Sequence, residues 1–112
     1  MYKPLVSIIV PSFNQGRYIK ETLDSIVNQT YDPIECIVID GGSTDETISV
    51  LRIYGSRITY ISEKDNGQAD AINKGVNLAS GEILSYLNSD DYLLPGSVDE
   101  VIKPLINRID CG

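Results

Sequence analysis

Four short apolar runs mark out the chain, and between them apolar residues recur at helical spacing. Leu5-Val6-Ser7-Ile8-Ile9-Val10 is the first run and Pro11 closes it; Ile34-Glu35-Cys36-Ile37-Val38-Ile39 is the second, stopped by Asp40-Gly41-Gly42. Ile58-Thr59-Tyr60-Ile61 is a weaker third, and Ile83-Leu84-Ser85-Tyr86-Leu87 a fourth. Runs this short and unbroken predict strands covered on both faces, as in parallel sheets, rather than the strict alternation of a half-exposed sheet.

The intervening stretches have legible helix ends. Asn14 is placed to cap a helix whose apolar positions are Ile19, Leu23, Ile26 and Val27. Ser43-Thr44-Asp45-Glu46 has the spacing of a capping box, with Ser43 as N-cap and Glu46 reaching back, ahead of Ile48 and Leu51. Ala69, Ile72, Val76 and Ala79 form a third helical stripe, followed by Gly81 as a left-handed stop. Ser97-Val98-Asp99-Glu100 repeats the capping pattern, and Pro104 is expected to end or kink that last helix.

The resulting order, β-α-β-α-β-α-β-α, predicts right-handed crossovers and an open, mostly parallel α/β sheet with helices on both faces. Ligands in such sheets sit at the carboxyl ends of the strands, near the point where strand order reverses. Four loops fall on that edge: residues 11–16, 40–45, 62–68 and 88–96. All four are rich in polar residues and glycine. The opposite loops, residues 29–33 and Ser80-Gly81, read as plain turns.

Composition narrows the chemistry. The 112 residues suit one domain, residues 1–112, and 42% hydrophobic with 22% charged residues is ordinary for a globular chain. No apolar run approaches the ~18 residues of a membrane span, and Met1-Tyr2-Lys3-Pro4 does not read as a signal peptide, so a cytoplasmic setting is expected, with the cytoplasmic face of a membrane left open. A net charge of −7 argues against a nucleic-acid partner. With no histidine, Ser-His-Asp and Cys-His machinery and His-ligated metals are excluded. Two cysteines, Cys36 and Cys111, are too few for a disulfide framework or an all-cysteine zinc site, and Cys36 falls in a buried strand pattern that suits an inert core thiol.

What remains is carboxylates, amides, hydroxyls and a hard cation. Asp40, at the end of the second strand, is placed to accept hydrogen bonds from a ribose hydroxyl or a base N–H; the same residues also suit an Asx-turn. Asn88-Ser89-Asp90-Asp91 follows the fourth strand. Two adjacent carboxylates suit Mg²⁺ shared with a diphosphate, or else a solvated acidic turn before Pro95. Lys64 is placed to meet a phosphate or to pair with Glu63 or Asp65. Gln68 and Asp70 open the third helix, where Asp70 also pairs with Lys74 at i, i+4.

These segments resemble the family 2 glycosyltransferases of the GT-A fold. The resemblance rests on Val6-Ser7-Ile8-Ile9-Val10-Pro11-Ser12-Phe13-Asn14, Ile39-Asp40-Gly41-Gly42-Ser43-Thr44-Asp45, Asp65-Asn66-Gly67-Gln68-Ala69-Asp70-Ala71-Ile72-Asn73-Lys74-Gly75 and Leu87-Asn88-Ser89-Asp90-Asp91, and runs from about residue 4 to 96. It implies a Rossmann-like donor half binding a nucleotide-sugar, such as a uridine-diphosphate sugar. Pro11, Ser12, Phe13 and Asp40 would hold base and ribose, and Lys64, Gln68 and Asp70 would approach the nucleotide. Asn88 and Ser89 stand in the place of the family's Asp-x-Asp motif, with Asp90 first and Asp91 second as ligands of a divalent metal, Mn²⁺ or Mg²⁺. The motif's first acid is an amide here, so that position brings no charge to the ion.

The resemblance further implies metal-dependent, inverting transfer of the sugar to an acceptor hydroxyl. Family members continue into an acceptor half that supplies the catalytic base, so no catalytic residue is assigned within these 112 residues. The acceptor, whether saccharide, lipid or protein, stays open. The surface where that half would dock is compatible with self-association. A non-catalytic nucleotide-binding domain is the main alternative. A phosphoacceptor receiver domain lacks its acid after the first strand, and neither a Gly-x-Gly-x-x-Gly turn nor a P-loop occurs.

Overall fold

The computed structural model describes residues 3–111, with side chains from residue 3 to 104, so the side chain of Cys111 lies outside the described part. Strand and helix alternate in the expected order: β1 Val6–Ser12, α1 Ile19–Val27, β2 Ile34–Asp40, α2 Thr47–Tyr54, β3 Thr59–Ser62, α3 Gln68–Leu78, β4 Ile83–Tyr86 and α4 Ser97–Cys111. A single 3-10 turn, Gly55–Arg57, links α2 to β3. The sheet is parallel throughout, in the order β3-β2-β1-β4.

Crossover handedness dictates the layers. The chain steps from β1 to β2 to β3 in one direction and lays α1 and α2 on one face. It then crosses back to β4, which puts α3 on the other. Strand residues alternate accordingly. Val6, Ile8, Val10, Cys36 and Val38 pack with Leu23 and Ile26 of α1, Leu51 of α2, and Val98 and Ile102 of α4. Ile9, Ile37 and Ile39 meet Ala71 of α3. No helix among the described residues is long and apolar enough to cross a membrane.

Double coverage holds for β1 and for the carboxyl half of β2 but not for the sheet's margins. Leu84 and Tyr86 of the edge strand β4 are 47% and 55% exposed. Among the described residues the helix on their face is α3, and it packs over β1 and β2.

Pro11 does not end β1. It pairs with Ile39 inside the strand, one residue before Ser12↔Asp40. The ladder explains the tolerance. The Ile9 carbonyl accepts from Leu87 on the β4 side and the Ser12 carbonyl from Gly41 on the β2 side. By alternation Pro11 turns its nitrogen toward β4, which has stopped pairing with β1 at Ile9↔Tyr86. Proline thus sits where the two strands diverge.

Three expected helix caps are made differently. Tyr18, not Asn14, precedes α1, and no side chain caps that helix. The box at Ser43 is not formed: α2 starts at Thr47, and the Asp45 Oδ1 accepts from the Thr47 N–H at 2.9 Å and from the Thr47 hydroxyl. At α4 the Ser97 hydroxyl is buried without a partner. Gln29 of the supposedly plain turn takes over there, its Oε1 accepting from the Val98 N–H at 3.2 Å while its Nε2 donates to the Leu94 carbonyl at 2.9 Å. The last helix also runs on through Pro104.

The sheet-facing side of α3 is built on Ala71 and Gly75; of the stripe 69, 72, 76, 79, Ala79 packs against that core, whereas Val76 is exposed. The reason is closeness: a Cβ on Gly75 would stand 2.4 Å from Cγ2 of Ile9. Gly81 also serves close approach, to Ser7, rather than a left-handed stop.

Candidate functional site

The carboxyl edge of the sheet opens into a cleft of about 570 Å³ at the divergence of β1 and β4. Of the residues singled out from sequence, Pro11, Ser12, Phe13, Lys64, Gln68, Asn88, Ser89 and Asp90 line it. Asp40, Asp70 and Asp91 lie on the same edge but do not. Gln15, Gly41, Asp65, Gly67 and Ala71 line it as well, and none of them is among the site residues expected from sequence. Ser12 is 6% exposed, and its buried hydroxyl has no hydrogen-bond partner. Phe13 is 58% exposed at the cleft wall.

Asp40 is 0% exposed and engaged within its own chain. Its Oδ2 accepts from the Gly42 N–H at 3.2 Å, the Ser43 N–H at 2.7 Å and the Ser62 hydroxyl at 2.8 Å, and its Oδ1 accepts from the Ser43 hydroxyl at 2.6 Å. Four bonds account for about as many acceptor sites as a carboxylate has. Strand parity gives the cause. Residue 40 continues the alternation of Cys36 and Val38 toward α1 and α2, whereas residue 41 continues that of Ile37 and Ile39 toward α3 and the cleft.

The loops around the cleft are stitched to one another. Asn14 adopts φ 51°, a left-handed conformation that asparagine tolerates better than most residues. From there its N–H donates to the Ser43 hydroxyl at 2.7 Å, and its Oδ1 accepts from the Thr44 N–H at 2.9 Å. The Gly16 N–H donates to Asp45 Oδ2 at 3.1 Å. The hydrogen bond from the Thr47 hydroxyl holds the Asp45 carboxyl below the usual carboxylate range, aided by backbone N–H donors and against a smaller desolvation effect. On the other side, the buried Thr22 hydroxyl of α1 binds the carbonyls of both Ser89, at 2.9 Å, and Asp91. That pins the loop after β4 to the helix beneath it.

Gln68 Nε2 donates to Asn88 Oδ1 at 2.8 Å, joining the start of α3 to the loop after β4. Asp70 accepts from the Asn66 N–H at 3.0 Å and faces Lys74 at 3.7 Å, the expected i, i+4 pair. Glu63 pairs with Lys74 at 3.2 Å, and this hydrogen bond raises the lysine's pKa. Lys64 forms no salt bridge among the described residues and lines the cleft. Asp65 Oδ1 accepts from the Gly67 N–H at 3.0 Å.

Among the described residues no three His, Cys, Asp or Glu side chains converge as a closed metal cage. Asp90 in the cleft wall, beside the amide of Asn88, instead suits a hard divalent cation that takes one or two carboxylates and fills its remaining positions with phosphate oxygens and water.

An open parallel sheet ordered 3-2-1-4, with its cleft at the reversal point, is the framework of the GT-A glycosyltransferases. The chain belongs to glycosyl transferase family 2, whose family model matches residues 7–111. It is 38% identical over 110 residues to an uncharacterized glycosyltransferase of Rickettsia prowazekii, covering 98% of this chain and 34% of that one, and so spans about a third of that relative's length. It is also similar to two solved structures. One is residues 1–349 of TarS from S. aureus in complex with UDP-GlcNAc (TM-score 0.78, 27% identity, 92% of this chain and 31% of that one). The other is the mannosyltransferase PcManGT from Pyrobaculum calidifontis in complex with GDP-Man and Mn²⁺ (TM-score 0.78, 34% identity, 85% of this chain and 30% of that one).

Proposed function

We propose that residues 1–112 form the donor-binding part of a glycosyltransferase that moves a sugar from a nucleoside-diphosphate sugar, a UDP-sugar in the first instance, to an acceptor hydroxyl with inversion. The observation that carries this reading is the cleft of about 570 Å³ at the strand-reversal point, whose wall brings Phe13, Lys64, Gln68 and Asp90 together. A ring face, a cation, an amide and a carboxylate on one such wall suit a base, a diphosphate and a divalent ion. The similarity to the TarS complex with UDP-GlcNAc supports the choice of donor.

In this reading the half-exposed ring of Phe13 offers its face to the base. Pro11 and Ser12 hold the nucleoside beside Gly41, and Asp40 shapes that wall from behind through Ser43 and Ser62. Lys64 and the first-turn amides of α3, at Gln68, meet the diphosphate, because helix N-termini favour anions. Asp70 fixes the same turn through Asn66. Asn88 and Ser89 face the ribose-diphosphate. Asp90 holds a divalent cation, with Asp91 as its helper. When bound, such a cation stabilises charge on the departing diphosphate as a Lewis acid. The proton of the acceptor hydroxyl needs a general base, and none of these residues is assigned to that task.

Calorimetry with UDP-GlcNAc and Mn²⁺ is the direct test. Wild type is expected to bind in a metal-dependent way, and Asp90→Ala to lose at least roughly tenfold in affinity, the scale of a lost charge-assisted contact. Equal metal-dependent binding by both proteins removes Asp90 from the cation's ligands. A wild-type chain that binds neither UDP- nor GDP-sugars overturns the donor reading.

A further inference from the structure

The end of β2 leaves a gap in the cleft that a different strand fills. Position 40 carries the acid, but its carboxylate points away from the cleft and is occupied by the Gly42 and Ser43 amides and the Ser43 and Ser62 hydroxyls. Position 41 faces the cleft and has no side chain. Into that space comes Asp65, from the loop after β3. A Cβ on Gly41 would stand 3.1 Å from both carboxylate oxygens of Asp65 and 3.3 Å from its carboxyl carbon. Asp65 is half-buried in the cleft wall. The Gly67 N–H fixes its Oδ1, and its Oδ2 has no hydrogen-bond partner among the described residues.

We propose that Asp65, admitted by the absence of a side chain at Gly41, is the carboxylate that reads the nucleoside of the donor, its Oδ2 accepting a hydrogen bond from a base N–H or a ribose hydroxyl. The proposal rests on the donor reading above and names the recognition residue within it. The chemistry sorts the two ends of the ligand. A carboxylate repels a diphosphate but accepts from an imide or hydroxyl hydrogen, so Asp65 marks where the uncharged part of the nucleotide lies. Lys64 beside it and Asp90 with its cation serve the charged part. A second oxygen held by a backbone N–H pre-orients the acceptor, which limits the ordering cost on binding.

The test uses the 112-residue chain with Mn²⁺ and three probes in calorimetry: UDP, 2′-deoxy-UDP and N3-methyl-UDP. Asp65→Asn is expected to weaken UDP binding by roughly tenfold or more, the range for hydrogen bonds to a charged group. Gly41→Ala, which crowds the Asp65 carboxylate without touching its charge, is expected to weaken it in the same direction. Wild type should discriminate against one of the modified probes, and Asp65→Asn should erase that discrimination. Loss against the deoxy probe assigns the bond to the ribose, and loss against the methylated probe assigns it to the base. Circular dichroism melts confirm that both variants are folded.

Three results overturn the proposal while leaving the donor reading intact: UDP binding by Asp65→Asn equal to wild type; Gly41→Ala equal to wild type; or a wild type that takes all three probes alike. A wild type that binds no UDP at all removes the donor reading and this inference with it.

Discussion

Ser12 and Asp40 lie opposite each other in the β1–β2 ladder, and their side chains have opposite fates. Asp40 is buried and saturated with hydrogen bonds, whereas Ser12 is buried and has none. Removing an unpartnered buried hydroxyl relieves a desolvation cost, so Ser12→Ala should leave the free chain as stable as before or up to about 1 kcal/mol more stable. UDP binding should be unchanged, because residue 12 shares the face of Asp40, toward α1 and α2 and away from the cleft. Urea denaturation and calorimetry read the two effects separately, and a weakened affinity would mean that the hydroxyl reaches the ligand. Cys36 behaves as its strand pattern implies: burial pushes its thiol up to about 12, so it is inert at neutral pH.

Two helices set the site's geometry from outside it. The closeness of α3 to the sheet depends on Gly75, and a methyl group there collides with Ile9, a core residue with a stiff, branched side chain. Gly75→Ala gains about 1 kcal/mol in helix propensity but incurs overpacking of up to roughly 3 kcal/mol, for an expected net loss of about 2 kcal/mol in urea denaturation. From the opposite face, α1 holds the loop after β4 through Thr22. Thr22→Val keeps the shape and deletes the hydroxyl, leaving the carbonyls of Ser89 and Asp91 without that donor. Stability should fall by about 1–3 kcal/mol. Metal-dependent nucleotide binding should fall as well, although Thr22 lies outside the cleft lining; unchanged calorimetry would separate the loop's anchoring from the site.

At the scale of the whole molecule, acid should loosen the fold through carboxylates that tie elements together. Burial tends to raise the pKa of Asp24, but hydrogen bonds from Lys20 and Tyr54 and nearby positive charge outweigh it and hold the group low. Asp45 is lowered chiefly by its hydrogen bond from Thr47. A carboxylate whose folded pKa lies below its unfolded value contributes stability that is complete above the unfolded value, about 4, and is lost as pH falls through the folded one. The melting temperature should therefore be level near neutrality and drop progressively below pH ~4. An Asp45→Asn variant should show a shallower drop; an identical profile would mean that Asp45 carries no such linkage. Lys74, raised by Glu63, has the opposite sign: its contribution is complete below its ordinary pKa and is lost as pH climbs through the raised value.

The sequence by itself determined the alternation of strands and helices, the parallel sheet, the edge on which the polar loops gather, and eight of the residues that line the cleft. Those are local properties: apolar periodicity, turn chemistry and motif spacing act over a few residues and survive any packing. The tertiary structure decided which side of each strand end faces the cleft. Asp40 and Gly41 are neighbours in the chain, yet parity and crossover handedness turn the acid toward α1 and α2 and the glycine toward α3. Caps moved for the same reason. Asn14, Gln29 and Thr22 find partners 30, 69 and 67 residues away, and no local pattern announces a bond formed only when two loops are folded against each other. Asp65 reaches the gap beside Gly41 because β3 pairs with β2, a consequence of strand order rather than of sequence nearness.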